Sequence, residues 1–376
     1  GDTPVGDAIE ADADWVSPTL VQCASPAMVP GPYSLVVTTR VHQFTSNAVR
    51  LSVLPHTVLL SLAPAEGARA GGTVVTLAAT NLPRGHSGSV SCRFGRALVP
   101  GRLLDDNHVS CVAPEAPVEK SAAPSVAVSV DLSVNGVAFT DSGLLFSYVE
   151  APTVTSVSPT HGDIRGGTVV NVTGSNFRAG AGLLCRCRFG SLPPVEATLV
   201  SSELMTCTAP ATTLAAGSAS VASLSLEVTT NGADYTANQI KFAYVPAIRV
   251  TSVGPTSGPE SGSTLVTVLG GNFVDTVDLK CRFGRSSTAP GMVVAGRWVS
   301  AHRMECLSPP AAPGFSSLFV SNNGVDFQGG GGGAAVRFEH AKNVTITALE
   351  PASGVVLGGT SVRVIGQGLV FTSKLT

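Results

Sequence analysis

Residues 255–273, PTSGPESGSTLVTVLGGNF, begin a pattern that continues with CRFG at 281–284, WVSAHRMECLSPP at 298–310 and FVSNNGVDF at 319–327. Its opening proline recurs at intervals of 95 or 96 residues, at Pro64, Pro159, Pro255 and Pro351. A fixed period of this length indicates tandem copies of one small domain.

The composition favours short β-strands joined by turns. Val, Leu, Ala, Ser and Thr dominate, and 41 glycines and 25 prolines interrupt the 376-residue chain at short intervals. This is typical of all-β sandwiches. Charged residues make up 13% and the net charge is −2, which disfavours a nucleic-acid-binding surface. No apolar run of about 18 residues occurs, so the sequence predicts no membrane span.

The period divides the chain into five segments. Residues 1–57 resemble the second half of a repeat, because Trp15 stands eight residues before Cys23 as Trp298 does before Cys306. Complete repeats are predicted at 58–149, 150–246 and 247–342, and 343–376 would begin another. We expect the sequence to be an internal piece of a longer chain. Spacers between repeats are almost absent, which predicts sandwiches placed end to end as a semi-rigid rod.

Strand signals recur within each repeat. A first strand such as 153–158 precedes a glycine-containing turn and a second, alternating strand. Period-two alternation indicates a strand with one buried face. The residues predicted to face inward are Val75, Leu77, Val170, Val172, Val266, Val268, Val362 and Val364.

Six of the eight cysteines recur once per repeat in pairs. Recurrence favours one disulfide per domain and an oxidising compartment, with buried free thiols as the alternative. CxxC spacing of the kind found in zinc sites is missing. The predicted disulfides are Cys92–Cys111, Cys187–Cys207 and Cys281–Cys306.

Cys185 has no counterpart in the other repeats and precedes Cys187 by two residues. Three interpretations remain open. It can be a buried thiol, it can exchange partners with Cys187, or it can form an intermolecular cross-link to a neighbouring subunit.

Two further motifs follow the first cysteine of each pair. Arg93, Arg188 and Arg282 alternate with core positions and should point outward, either to solubilise the sheet or to contact a partner. Asn-Gly pairs at 135–136, 231–232 and 323–324 predict tight hairpins, because both residues accept positive φ. A looser turn is expected between Arg40 and Phe44, and Gly329 to Gly333 predict a flexible loop.

Together these motifs resemble the IPT/TIG family, the immunoglobulin-like domains of plexins, Met-type receptors and Rel-type transcription factors. The shared features are Pro-x-x-Gly, Asn-Phe after the second strand, Cys-Arg-Phe-Gly, Cys-x-x-Pro and Asn-Gly with a following aromatic residue. Asn81-Leu82 departs from the Asn-Phe pattern. The resemblance implies a two-sheet sandwich in each repeat, but it does not imply one function.

The leading functional hypothesis is a structural module of an extracellular, cell-surface filament or adhesion array, in which other copies or subunits are the partners. The lysine-poor composition is similar to that of secreted algal surface proteins, including subunits of flagellar mastigonemes. The alternative is the ectodomain of a plexin-like or Met-like receptor that binds a protein ligand. An intracellular DNA binder is disfavoured by the charge and by the paired cysteines.

Enzyme chemistry is not predicted, and neither a cofactor nor a metal is expected. The histidines stand singly, and the Asp105 to His108 cluster is replaced by unrelated residues in the other repeats, which favours a variable turn. Asn171-Val-Thr and Asn343-Val-Thr are N-glycosylation sequons. Asn171 should lie on the outward face of its strand, and Asn343 should lie at a domain junction.

Overall fold

The computed structural model describes residues 9–38, 49–83, 90–117, 125–178, 184–213, 222–285, 290–329 and 336–369. The predicted turn between Arg40 and Phe44, and all of the predicted glycine loop except Gly329, lie outside these residues. The chain forms two compact units, Gly1–Glu150 and Ala151–Thr376. The first unit contains one complete sandwich and the second contains two.

Each sandwich has eight strands. The strands of the first repeat are β5 (Val58–Ala63), β6 (Glu66–Ala68), β7 (Val74–Thr80), β8 (Ser91–Phe94), β9 (Ala97–Leu103), β10 (His108–Val112), β11 (Ser125–Ser133) and β12 (Leu145–Val149). Their hydrogen-bonded order is β5-β7-β10-β9-β8-β11-β12-β6.

The second and third repeats follow the same order. The second comprises β13 (Thr153–Ser158), β14 (His161–Asp163), β15 (Val169–Ser175), β16 (Arg186–Phe189), β17 (Val195–Ser201), β18 (Leu204–Thr208), β19 (Ala222–Thr229) and β20 (Lys241–Val245). The third comprises β21 (Arg249–Gly254), β22 (Ser257–Pro259), β23 (Leu265–Gly271), β24 (Lys280–Gly284), β25 (Gly291–Ser300), β26 (Arg303–Leu307), β27 (Gly314–Ser321) and β28 (Arg337–Ala341).

Three shorter ladders lie outside the sandwiches: β1 (Ala13–Ser17) with β2 (Leu20–Cys23), β3 (Gly31–Leu35) with β4 (Val49–Val53), and β29 (Thr345–Glu350) with β30 (Arg363–Gln367). Ala13 pairs with Cys23 as Gly296 pairs with Cys306, and both ladders have an irregularity after the tryptophan. The prediction that Val362 and Val364 face inward is wrong, since both are exposed, and β29 and β30 pair only with each other among the described strands.

The fourth strand of each order, which is β9 in the first repeat, joins the two layers of the sandwich. Residues 97–100 of β9 pair with β8, and residues 101–103 pair with β10. A Cβ atom at Gly101, where the strand changes partner, would lie 2.9 Å from a methyl group of Val90. The chain can therefore cross between layers there only with a very small residue.

The core of each repeat follows the predicted alternation. Val170 and Val172 are fully buried, whereas Val169 before them and Asn171 between them are exposed. Val75, Leu77, Val266 and Val268 are likewise fully buried. Each core also contains edge-to-face aromatic pairs, such as Phe189 with Phe242 at 5.3 Å between ring centroids. This geometry is the preferred one for aromatic rings.

The shared motifs have clear physical roles. Asn81, Asn176 and Asn272 adopt positive φ, and their side-chain amides donate to the carbonyls of His56, Ala151 and Ala247 at 2.7, 3.0 and 2.7 Å. Asparagine is the non-glycine residue best suited to this conformation. Each asparagine thereby ties the end of the second strand to the segment that enters the repeat, and Leu82 is buried where the other repeats have Phe.

The predicted tight hairpins at the Asn-Gly pairs are wrong. Only the glycine of each pair has positive φ, and eleven residues or more separate the paired strands, as between Ser133 and Leu145. The Asn135 side chain instead accepts hydrogen bonds from the backbone amides of Val137 and Ala138 at 3.0 and 2.8 Å. The pair therefore begins a longer loop that is ordered by an Asx turn.

Candidate functional site

The structure brings each predicted cysteine pair together. Disulfides join Cys92 to Cys111, Cys187 to Cys207 and Cys281 to Cys306, with Cα atoms 6.4, 6.3 and 6.4 Å apart. All six cysteines are buried in the cores of their sandwiches. Their structural role is to connect the two strands that flank the layer-crossing strand.

Cys185 occupies a position that is apolar in the other repeats. Its carbonyl accepts a hydrogen bond from Ala197 at 3.0 Å, just as the carbonyls of Val90 and Leu279 accept from Gly101 and Gly296. The side chain is half-buried against the core of the second repeat, and its sulfur lies 3.5 Å from the carbonyl oxygen of Arg178. Cys187 is bonded to Cys207, so the exchange of partners does not occur in this structure, and the cross-link stays a prediction.

The two sequon asparagines are exposed. Asn171 projects from β15, whose neighbours at that point are Ser158 and Thr206. Asn343 contacts the third repeat, because its backbone N–H donates to the Glu260 carboxylate at 3.1 Å and its side-chain oxygen accepts from Ser261 at 3.2 Å. Glycans on both remain predictions.

The Asp105 cluster is an exposed turn between β9 and β10. The Asp105 carboxylate accepts from the backbone of Asn107 at 2.8 Å and lies 2.8 Å from Nδ1 of His108. The hydrogen bond from Asn107, followed by that from His108, lowers the pKa of Asp105. These contacts explain the local turn.

Side chains of the second and third repeats meet in a hydrogen-bonded joint. The Asn323 amide donates to the carbonyl of His161 at 3.0 Å, and the His161 ring nitrogen Nε2 lies 3.0 Å from the carbonyl of Asn322, which it can reach as a donor. Two further bonds run from Thr168 to Asp326 at 2.6 Å and from Gln328 to Asp163 at 2.8 Å. His161, Asp163, Asn322 and Asn323 are all buried.

Both sides of this joint are held by their own repeats. On one side, β14 pairs in parallel with the last strand of the second repeat, so His161 lies beside Ala243. On the other, the Asn323 side chain accepts from the backbone of Asp326 at 2.9 Å and donates to its carboxylate at 2.8 Å. The joint therefore connects two surfaces that are each ordered by contacts within their own repeat.

Asp163 is the charged centre of the joint. Burial acts to raise its pKa, but hydrogen bonds from Arg165 and Gln328 outweigh burial, and the pKa of Asp163 lies below its ordinary value. The Arg165 guanidinium contacts the carboxylate at 2.5 and 3.0 Å. A buried carboxylate with these donors stays ionised and fixes the groups around it.

The outward arginines form a second recurring feature. Arg93 lies 4.6 Å above the Phe139 ring and bonds Asp131 at 2.9 Å. Arg188 lies 4.0 Å above Tyr235 and bonds Glu227 at 2.5 Å. The aromatic ring in each case is the one that follows Asn-Gly.

The third arginine of this set, Arg282, differs from the other two. It lies 4.0 Å above Phe327, but the cross-strand position that holds Asp131 and Glu227 is taken by Phe319. The Nε and Nη2 atoms of Arg282 are buried and have no hydrogen-bond partner, and burial lowers the pKa of Arg282. Aligning the repeats would have revealed this missing carboxylate from the sequence.

Two further properties concern the described part of the chain as a whole. Its histidines, cysteines and acids nowhere gather in groups of three or more with the geometry of a metal site. Its described residues also lack a helix with the length and apolar character required to cross a bilayer.

The comparisons with known proteins agree with the repeat pattern. The family model described as the IPT/TIG domain matches residues 58–148, 152–244 and 249–339. Rat plexin-A3 is 25% identical over 186 residues, which are 49% of this chain and 10% of that protein. Mouse plexin-A2 is 30% identical over 190 residues, 49% of this chain and 9% of that protein.

The chain spans about a tenth of the length of these curated relatives. Among solved structures, the full extracellular region of plexin A4 is 18% identical, with a TM-score of 0.38, and covers 78% of this chain and 25% of its own.

Proposed function

Because this chain belongs to the IPT/TIG family, we propose that it is a stiff spacer within the extracellular part of a larger cell-surface protein, acting by protein–protein assembly. The observation that carries this proposal is the joint between the second and third repeats. Four side-chain hydrogen bonds cross it, and their donors and acceptors are largely buried. Such a joint supports a fixed angle between the two repeats, because both of its sides are ordered within their own repeats and the two repeats lie in one compact unit.

The disulfides support an extracellular location, since such bonds persist in oxidising compartments. Similarity to plexin repeats supports the same location. More specifically, we propose that the spacer belongs to a filament or adhesion array at the cell or flagellar surface, where other subunits are its partners.

The angle at the joint can be tested with spin labels at exposed positions of the two repeats, for example Thr155 and Met292. Double electron–electron resonance should give a narrow distance distribution for the wild-type chain. Asn323→Ala combined with Gln328→Ala should broaden it, because three of the hydrogen bonds around the joint are removed.

Asn135→Ala is the matched control, because it removes the same asparagine from the first repeat, where its bonds stay within its own loop. A broad distribution in the wild-type chain, or an unchanged one in the double variant, would contradict the stiff spacer.

A second candidate is the ectodomain of a plexin-like receptor, which the similarity to plexin-A2 and plexin-A3 favours. The whole protein distinguishes the two candidates. A transmembrane segment followed by a cytoplasmic domain supports the receptor, whereas many more repeats support the array. Labelling of intact cells with an antibody against the first repeat tests the shared extracellular location.

A further inference from the structure

The third repeat departs from the other two at its outward arginine. In the first two repeats a carboxylate from the neighbouring strand bonds the guanidinium, at Asp131 and Glu227. In the third repeat the paired residue is Phe319, and two guanidinium nitrogens of Arg282 are buried without an acceptor. A cation left in this state lacks the hydrogen bonds that normally compensate its burial.

The surface around Arg282 is unusually apolar. Val293 lies directly across from Arg282 on the other neighbouring strand and is 50% exposed. Phe315, on the same face of β27 as Phe319, is 67% exposed. The equivalent residue in the second repeat is Ser223, since Ser223 pairs with Ala243 as Phe315 pairs with Glu339. We call Val293, Arg282, Phe319 and Phe315 the Arg282 face.

The charges beside this face favour an acidic partner. Arg337 is exposed and pairs with Ser317, which lies between Phe315 and Phe319 on the same side of the sheet. Glu339, also exposed, is the acid at its far end beside Phe315. Arg337 and Arg282 together make the end of the face around Phe319 positively charged. Among the described residues, the Arg282 guanidinium has no carboxylate bonded to it there.

We propose that the Arg282 face is a docking surface for a protein segment that presents an Asp or Glu side chain between apolar residues. The partner carboxylate accepts the hydrogen bonds that Asp131 and Glu227 accept in the other repeats. Its apolar neighbours cover Val293 and Phe315. Phe319 is itself buried, at 8% exposed, so access to the guanidinium requires a shift of its ring, whose centroid lies 5.9 Å from the guanidinium carbon against 4.0 Å for Phe327.

The combination of charge and apolar surface distinguishes this partner from a free anion. An inorganic anion would neutralise the guanidinium but would leave both exposed apolar side chains in water. A short extended segment satisfies both, because alternate residues of such a segment face the sheet. The proposal does not rest on the stiff spacer, so its test can fail while the stiff spacer stands.

The chain itself supplies matched variants for a test. Phe319→Glu places in the third repeat the acid that Glu227 provides in the second, and should neutralise Arg282 internally. Glu227→Phe performs the reverse exchange and should leave Arg188 of the second repeat without its carboxylate. Arg282→Gln removes the charge and keeps a polar side chain, and thermal unfolding checks that each variant folds.

A random short-peptide library displayed on phage is the probe, selected against the wild-type chain and each variant. We expect wild type to enrich peptides with Asp or Glu flanked by apolar residues. Binding of a synthetic copy should weaken at least about tenfold in both Phe319→Glu and Arg282→Gln. Glu227→Phe should not gain a second site of equal affinity, because Ser223 stands in the second repeat where Phe315 supplies apolar surface in the third.

Three outcomes would overturn the proposal. Selected peptides without acidic enrichment would show that Arg282 is a buried structural cation. Equal binding by wild type and Phe319→Glu would place the peptide elsewhere. Self-association of the wild-type chain that disappears in both third-repeat variants would identify a second copy as the occupant.

Discussion

The second and third repeats have the same strand register but different polar residues at two equivalent points. Tyr244 pairs with Gly162 and His340 pairs with Gly258, and the two side chains are 0% and 1% exposed. The Tyr244 hydroxyl and both His340 ring nitrogens have no hydrogen-bond partner. Burial raises the pKa of Tyr244 and lowers that of His340.

This difference shows that the same core tolerates two polar groups with very different consequences. Tyrosine is neutral at any physiological pH, whether it is buried or in water. Histidine changes charge near neutrality once the chain unfolds. On the outer face, the third repeat has Phe319 where the second has Glu227. The Arg282 guanidinium therefore lacks the carboxylate that Arg188 has in the second repeat.

The largest expected effect is the loss of stability on removing a disulfide, and it should be the same in both repeats. Replacing both cysteines of one disulfide by alanine should lower the free energy of unfolding of that repeat by about 3 kcal/mol, if the bond acts by restricting the unfolded chain. The sequence separations of 20 and 25 residues should make the two losses differ by only about 0.2 kcal/mol.

Calorimetry of Cys187→Ala/Cys207→Ala and of Cys281→Ala/Cys306→Ala checks this and assigns a thermal transition to each repeat. Double variants leave no disulfide partner for Cys185 within the second repeat. A loss confined to one of the two variants would show that native packing, rather than loop closure, determines the effect.

A smaller expected effect is a loss of stability in acid, which should be larger in the third repeat than in the second. The pKa of His340 is lowered below its ordinary value of 6.5, so the unfolded third repeat takes up a proton that the folded one excludes. Its stability should therefore fall as the pH drops below about 6.5 and continue to fall until the folded-state pKa is reached.

Calorimetry at about pH 7.5 and about pH 5.5 should show the third-repeat transition moving more than that of the second. His340→Tyr should remove this difference, and Tyr244→His should transfer it to the second repeat. An acid shift that persists in His340→Tyr would assign the sensitivity to other groups.

The smallest effect concerns the ion pair of the second repeat. The Arg188 side chain is 38% exposed, so solvent screens its bond to Glu227. A double-mutant cycle with Arg188→Met and Glu227→Gln should give a coupling of roughly 0.2–1 kcal/mol. A coupling well above that range would mean that the aromatic stacking and the ion pair act as one unit.

Features that recur in the sequence could be predicted, because the same residue type at the same position of three repeats indicates the same structural role. The alternation at Val170 and Val172 and the pairing of Cys187 with Cys207 both follow from position within the period. The prediction of a tight hairpin at Asn323-Gly324 was wrong, because the Asn323 side chain caps its own loop and only the glycine needs positive φ.

The joint could not be predicted for a different reason. His161 and Asn322 lie 161 residues apart, and neither has the same residue type at the equivalent position of the other repeats. Their contact depends on the angle between two sandwiches, which the sequence pattern within one sandwich does not specify.

The position of the disulfides has a mechanical consequence. A pulling force on the second repeat enters at β13 and leaves at β20, while Cys187 and Cys207 are bonded inside that path. If tension unfolds the repeat, the 20-residue stretch between them cannot extend, which withholds about 60–70 Å of contour length. Reducing agents would release that length. The oxidised repeat therefore extends less under tension than its number of residues implies.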